Sequence, residues 1–184
     1  MHLISFDPFP ELETERLKLR ALCADDRDII FKLRTNVQVN RYIMREREKT
    51  VKQTESFITR ILTSIAENKS VYWVITNREN GKLLGTICLW NFGFDAMEAE
   101  LGYELFPTHQ GKGFMQEALQ AVTRYGFDTL RLVLISAYTH KENEASIRLL
   151  ERNAFQFAPK RRDGHFADNR VYELKNSAAT SPVS

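Results

Sequence analysis

Little in this chain points to a metal, a membrane or a nucleic acid. It has two cysteines, Cys23 and Cys88, in no CxxC spacing, and four histidines with neither an HxH nor an HExxH pair. So few thiols argue against a disulfide scaffold, and both cysteines are read as reduced. Unpaired histidines argue against a dedicated metal centre. No apolar run is long enough to cross a bilayer. The opening MHLISFDPFPELETE is acidic and broken by proline, unlike a secretory leader. Lys and Arg number 26 against 24 Asp and Glu, a balance too even for broad nucleic-acid or membrane-surface binding. Neither GxGxxG nor a glycine loop ending in GK[ST] is present, so the two commonest nucleotide signatures are missing. These absences leave a soluble cytoplasmic protein, expected as a monomer or homodimer.

What is present is core material. Hydrophobic residues make up 43% of the 184, enough for one well-packed domain. Leu17 and Leu19 alternate with charged residues as a strand with one wet face. Asp25 to Asp28 open a helix whose apolar stripe is Ile29, Ile30 and Leu33, and Val37 to Lys49 is a short helix or rim loop. Thr50 caps a helix from Val51 to about Asn68. The period then changes. Ser70–Thr76 and Lys82–Trp90 are two strands joined by NRENG, whose Asn80-Gly81 suits a hairpin turn. Asn91 to Asp95 turns into a third strand, Met97–Phe106. Phe114 to Phe127 has helical spacing, and Leu130 to Ala137 is almost continuously apolar, as in a strand covered on both faces. Asn143 begins a further helix to Arg152. Phe155 to Phe157 and Val171 to Leu174 are the last strands, flanking the basic loop Lys160 to His165. The order describes one α/β (α+β) domain whose mixed sheet passes from an antiparallel meander to parallel strands, opening a crevice where neighbours diverge.

The change falls at Glu100 to Phe127. A strand stopped by Pro107, glycines at 111 and 113, and a helix from Phe114 make an anion site. The first turn of a helix has unpartnered N–H groups at the positive end of its dipole, and the glycines let backbone approach a phosphate. An ordinary turn and helix cap reads the same way.

Two segments carry a more specific likeness. AELGYELFPTHQGKGFMQEAL (99–119) followed by NEASIRLLERNAF (143–155) resembles the acyl-coenzyme A binding core of the Gcn5-related N-acetyltransferase (GNAT) superfamily. With ETERLKLRAL near the start, the chain is similar to the ribosomal-protein alanine/serine N-acetyltransferase branch. The likeness spans residues 12–175, which it implies are one N-acetyltransferase domain, with 1–11 and 176–184 as flexible termini. It implies an acyl-CoA N-acyltransferase fold, acetyl-CoA as cofactor, and an acceptor that is a protein N-terminal amine or a small amine such as a polyamine, amino acid or antibiotic. A non-catalytic acyl-CoA-binding module is the other reading.

The resemblance carries roles onto particular residues. Gln110, Gly111, Lys112, Gly113, Phe114 and Met115 match the pyrophosphate loop, and Leu105 and Phe106 the strand end that pairs with the pantetheine arm. Thr108 stands where the family often has Gln or Arg, which leaves the backbone role. Glu100 matches a strand carboxylate used as general base, against a binding, structural or merely solvated role. It shares a face with Gly102 and Glu104, opposite Leu101, Tyr103 and Leu105. Asn143 is either a pantetheine contact or a helix cap, and Ser146 either serves the leaving thiolate or bonds its own backbone. Leu150 replaces the family's usual tyrosine acid, leaving the proton donor open. Ala154 replaces a glycine. Asp168 and Tyr172 resemble recurring positions around the last strand.

Overall fold

Alternation along Leu17–Ala21 buries Leu17 and Leu19 and leaves the residues between them partly wet, the burial of a strand with one core face. In the computed structural model, which describes residues 4–93 and 97–176, the elements are β1 (Leu12–Glu13), β2 (Leu17–Ala21), α1 (Arg27–Thr35), α2 (Val51–Ala66), β3 (Ser70–Asn77), β4 (Leu83–Gly93), β5 (Glu98–Leu105), α3 (Phe114–Arg124), β6 (Leu134–His140), α4 (Glu144–Arg152), β7 (Gln156–Phe157) and β8 (Asn169–Lys175). They form one sheet in the order β1-β2-β3-β4-β5-β6-β8-β7. Every neighbouring pair is antiparallel except β5 with β6, which are parallel because α3 lies between them in the chain.

The helices divide between the two faces. Trp73, Leu89, Leu101, Met115, Leu119 and Leu150 belong to one buried cluster, which places α3 and α4 on that face. Ile30, Phe57, Ile58, Tyr72 and Val74 form the other under α1 and α2. As the sequence predicts, Thr50 begins α2: its backbone N–H donates to Gln53 Oε1 at 3.0 Å. Gly85 of β4 has no room for a side chain, since a Cβ there would stand 2.1 Å from the Glu104 carbonyl oxygen. Among the described residues no helix is long and apolar enough to cross a membrane, and no cluster of three or more metal-ligating side chains occurs.

Three expectations need correction. The apolar run after α3 is not all strand: a π turn at Tyr125–Thr129 ends the helix, Arg131 takes a left-handed φ of +59°, and β6 starts only at Leu134. Leu130 and Leu132 are apolar because that turn buries them, which an unalternating run cannot reveal. The lead segment is held over residues 4–11, where Phe6 joins the core, its N–H bonds Asn68 Oδ1, and Trp73 Nε1 donates to the Pro10 carbonyl at 2.6 Å. The expected turn Asn91 to Asp95 is not all turn, because Asn91 to Gly93 still belong to β4; residues 94–96, like 1–3 and 177–184, lie outside the described residues.

The end of α4 tests the glycine substitution noted above. Phe155 N–H reaches back to the Leu150 carbonyl and Ala154 sits at φ +65°, the left-handed closing position where glycine is favoured. We expect Ala154→Gly to raise unfolding stability in urea by about 0.5–1 kcal/mol, because the relieved strain exceeds the added chain entropy. A loss of stability would show that the position is not strained.

Candidate active site

The site begins where two parallel strands part. Pairing of β5 with β6 ends at Leu101 with Ala137, although β5 runs on to Leu105 and β6 to His140. Phe106 N–H donates to the Leu84 carbonyl, and the register with β4 continues through Glu104 with Thr86 and Gly102 with Cys88. Antiparallel backbone alternates its direction, so Tyr103 and Leu105 turn their backbone groups toward the gap. Gln110 Nε2 takes the Leu105 carbonyl at 3.1 Å. The expectation that Leu105 and Phe106 together offer a free edge is therefore shifted by one strand position: Phe106 is committed to β4, and Tyr103 and Leu105 face the gap.

A cleft of about 1430 Å³ opens there. On one side lies the loop of Gly111 and Gly113, at φ +73° and +79°, followed by the first turn of α3. The left-handed conformation at both explains why glycine is needed. Gln110, Gly111, Gly113, Phe114 and Met115 line the cleft, while Lys112 turns its ammonium back to the Thr108 carbonyl at 2.8 Å.

The sequence reading missed what holds this loop. Arg16 of the residues leading into β2 donates Nε to Glu117 Oε2 at 2.7 Å and Nη1 to the Lys112 carbonyl at 3.0 Å, and its guanidinium lies over the Phe114 ring at 4.6 Å. Glu117 also accepts from the Arg16 backbone N–H and the Thr14 hydroxyl. Burial alone would raise the Glu117 carboxyl, but the Thr14 and Arg16 donors outweigh it and hold it below its ordinary range. These partners are about a hundred residues apart in the chain, so no local pattern announces them.

The α1/α2 face supplies the other half. Glu100 stands between Trp90 of β4 and Ser136 of β6, and Asn91 Nδ2 donates to its Oε1 at 2.7 Å. Gly102 beside it leaves the floor open, and a Cβ there would meet Cys88 Sγ at 3.1 Å. Burial pushes the Cys88 thiol up to about 12, so it is no nucleophile. Glu104 is paired with Arg45, whose Nη2 donates to Oε2 at 3.0 Å. Two wall segments line this part of the cleft, Arg41 to Met44 and then Asp163 to Phe166. Burial opposes ionisation of Asp163, yet its carboxyl is held low by the His165 and Phe166 N–H groups and Asn169 Nδ2. Tyr42 stacks on His140 at 5.4 Å, tying the first wall to the end of β6. Met44 (63% exposed), Trp90 (48%) and Phe166 (37%) form an apolar rim.

At the deep end, Asn143 caps α4, its Oδ1 accepting from Ser146 N–H at 3.2 Å. Ser146 Oγ does not bond its own helix backbone. It lies 2.7 Å from Tyr103 Oη, which crosses from β5. Leu150 is wholly buried and away from the cleft, and Asp168 and Tyr172 are outside it too, Asp168 ion-paired with Lys141 and Tyr172 in the core.

Comparison with known proteins agrees with this arrangement. The family model for the acetyltransferase (GNAT) domain matches residues 16–156. The uncharacterized N-acetyltransferase YoaA of Bacillus subtilis is 37% identical over 148 residues, 80% of this chain and 84% of that protein. In fold, the chain resembles ribosomal-protein-S5-alanine acetyltransferase from Vibrio fischeri (TM-score 0.76, 20% identity, 91% of this chain and 97% of that one). It also resembles spermidine N-acetyltransferase from Vibrio cholerae, solved in complex with CoA and spermine (TM-score 0.77, 23% identity, 88% and 96%). The family match places the protein in the acyltransferase class. The chain belongs to the GNAT acetyltransferase family and is an N-acetyltransferase.

The Arg16–Glu117 clamp gives a pH signature. A carboxyl depressed in the folded state stabilises above its unfolded value and loses that contribution as pH falls through the folded one. Wild type is expected to exceed Glu117→Gln in urea stability at pH 7, with the gap closing below about pH 4. A gap that stays constant across this range would mean the carboxylate is not what secures the loop.

Proposed function

We propose that the chain transfers an acetyl group from acetyl-CoA to a single primary amine seated over Glu100. One observation carries this reading: the same gap joins a glycine loop on the α3 side to an uncrowded carboxylate on the α1/α2 side. The residues suit acetyl-CoA. Gly111, Gly113 and the first turn of α3 offer backbone N–H groups to a pyrophosphate, and the unpaired stretch of β5 offers Tyr103 and Leu105 to an amide-bearing arm. When bound, the cofactor supplies an activated acyl thioester.

The remaining work belongs to the protein. Glu100 accepts the proton that the acceptor amine must lose before attack, directly or through water. Asn91 holds the carboxylate by one oxygen and leaves the other for that task. The N–H groups of Tyr103 and Leu105 are fixed donors of the kind that stabilise negative charge on an acyl oxygen. Holding both reactants in one cleft contributes by orientation.

Charge and surface favour one kind of acceptor. Of the cleft carboxylates, Glu104 is neutralised by Arg45, and both oxygens of Asp163 are taken by neutral donors. Glu100 alone combines a negative charge with a free oxygen among the described lining residues, and Arg41 also lines the cleft. One ammonium is matched there, whereas the further ammonium groups of a polyamine would find only Asp163, whose oxygens already accept hydrogen bonds, and the repelling Arg41 cation. The exposed Met44, Trp90 and Phe166 suit an apolar body beside that amine. A protein N-terminus opening on an apolar residue has both features.

The test follows free thiol on mixing the protein and acetyl-CoA with either a peptide bearing a free N-terminal amine on an apolar residue or spermidine. The peptide is expected to be the better substrate. Glu100→Gln is expected to lower kcat by about a hundredfold with CoA affinity within about twofold. Faster turnover of spermidine overturns the acceptor assignment, and an unchanged rate in the variant overturns the base.

A further inference from the structure

The usual acid of the resembling family has no counterpart here, since Leu150 lies in the core. The cleft nonetheless contains an unspent pair of hydroxyls. Tyr103 extends from the α3/α4 face of β5 to the first turn of α4, where its Oη is 2.7 Å from Ser146 Oγ. Both residues line the cleft. Ser146 Oγ has Tyr103 as its one hydrogen-bond partner among the described residues, and Ser146 N–H is already held by Asn143. Burial pushes the Tyr103 phenol up to about 12, with the Ser146 bond opposing it, so the group stays protonated through the physiological range. A phenol O–H that donates to Ser146 Oγ leaves the serine hydrogen free for a third atom. That third position is at the N-terminus of α4, the end of a helix that favours an anion.

We infer that Tyr103 and Ser146 form a hydroxyl relay that protonates the departing CoA sulfur, an inference that rests on the acetyl-CoA reading above. The acceptor nitrogen forms its bond to the acyl carbon as the carbon–sulfur bond breaks, and the electron pair of that bond goes to sulfur. Ser146 gives its hydroxyl proton to the sulfur and recovers one from Tyr103. The phenolate regains a proton from solvent in the cleft, while the amine proton leaves through Glu100. The sum is amine plus acetyl-CoA giving acetamide plus CoA thiol, with no oxidant or further reactant. Ser146 touches the sulfur, and Tyr103 acts through it as the positioning residue and proton source. The strand thus supplies the hydroxyl that the helix lacks at position 150.

The same donors that protonate a thiolate stabilise it before transfer, which gives a readout independent of turnover. CoA itself is bound to wild type, Tyr103→Phe and Ser146→Ala, binding is confirmed by titration calorimetry, and the bound thiol is titrated by its ultraviolet thiolate absorbance. The corresponding desulfo-CoA complexes serve as blanks for tyrosine. The wild-type complex is expected to titrate about one pH unit lower than either variant complex. A purely structural role for Tyr103 would alter affinity and leave the thiol titration where it is. If all three bind CoA and their thiols titrate together, the relay is wrong. If wild type binds no CoA, the site reading itself fails, and the relay with it. Ser146→Ala, a small change on the first turn of α4, keeps the test valid if Tyr103→Phe does not fold.

Discussion

Everything in this site depends on β5 and β6 ceasing to pair after Leu101 and Ala137. A sheet that kept its ladder to His140 would satisfy its own backbone and have no cleft. By parting, it exposes the N–H and C=O groups of Tyr103 and the N–H of Leu105, an arrangement that folding alone does not favour. The glycine loop and α3 follow β5, and the cap of α4 follows β6, so both lie at the end of the sheet where the pair has parted. Gln110, by taking the Leu105 carbonyl, closes one of the exposed groups from within the loop.

Strand alternation then divides the labour. Odd positions of β5 face α3 and α4, so Tyr103 reaches Ser146, while even positions face α1 and α2, so Glu100, Gly102 and Glu104 floor the other half. A carboxylate and a phenol only three residues apart therefore work on opposite sides of one strand. The geometry suits a reaction in which one proton is removed from the incoming group and another is delivered to the outgoing one. Gly102 marks the thin point between the halves, where any larger side chain would press on Cys88 and narrow the floor.

Much of this was readable from local pattern. Gly111 and Gly113 announced a turn before a helix, the hydrophobic period located the core faces, and alternation put Glu100 on the face opposite Tyr103. Long-range geometry was not readable. Alternation put Glu104 on the same face as Glu100 but gave no sign that Arg45, 59 residues away, neutralises it. The Arg16–Glu117 clamp and the Tyr103–Ser146 bond likewise join segments with no sequence periodicity between them. Leu130 and Leu132 misled because burial in a turn and burial in a strand select the same apolar residues. Phe6 misled for the converse reason, being one of two aromatics in a proline-broken lead that the core nonetheless takes in.

The central claim is that the gap between β5 and β6 is where the acyl carrier lies. Hydrogen–deuterium exchange with and without CoA tests it at the level of single amides. The account predicts slowed exchange at Tyr103 and Leu105, whose amides face the gap, and in the loop from Gly111 to Met115, with Phe106 already slow in the free protein because its amide serves Leu84. Protection elsewhere, with the Tyr103, Leu105 and glycine-loop amides exchanging as freely as before, would contradict it.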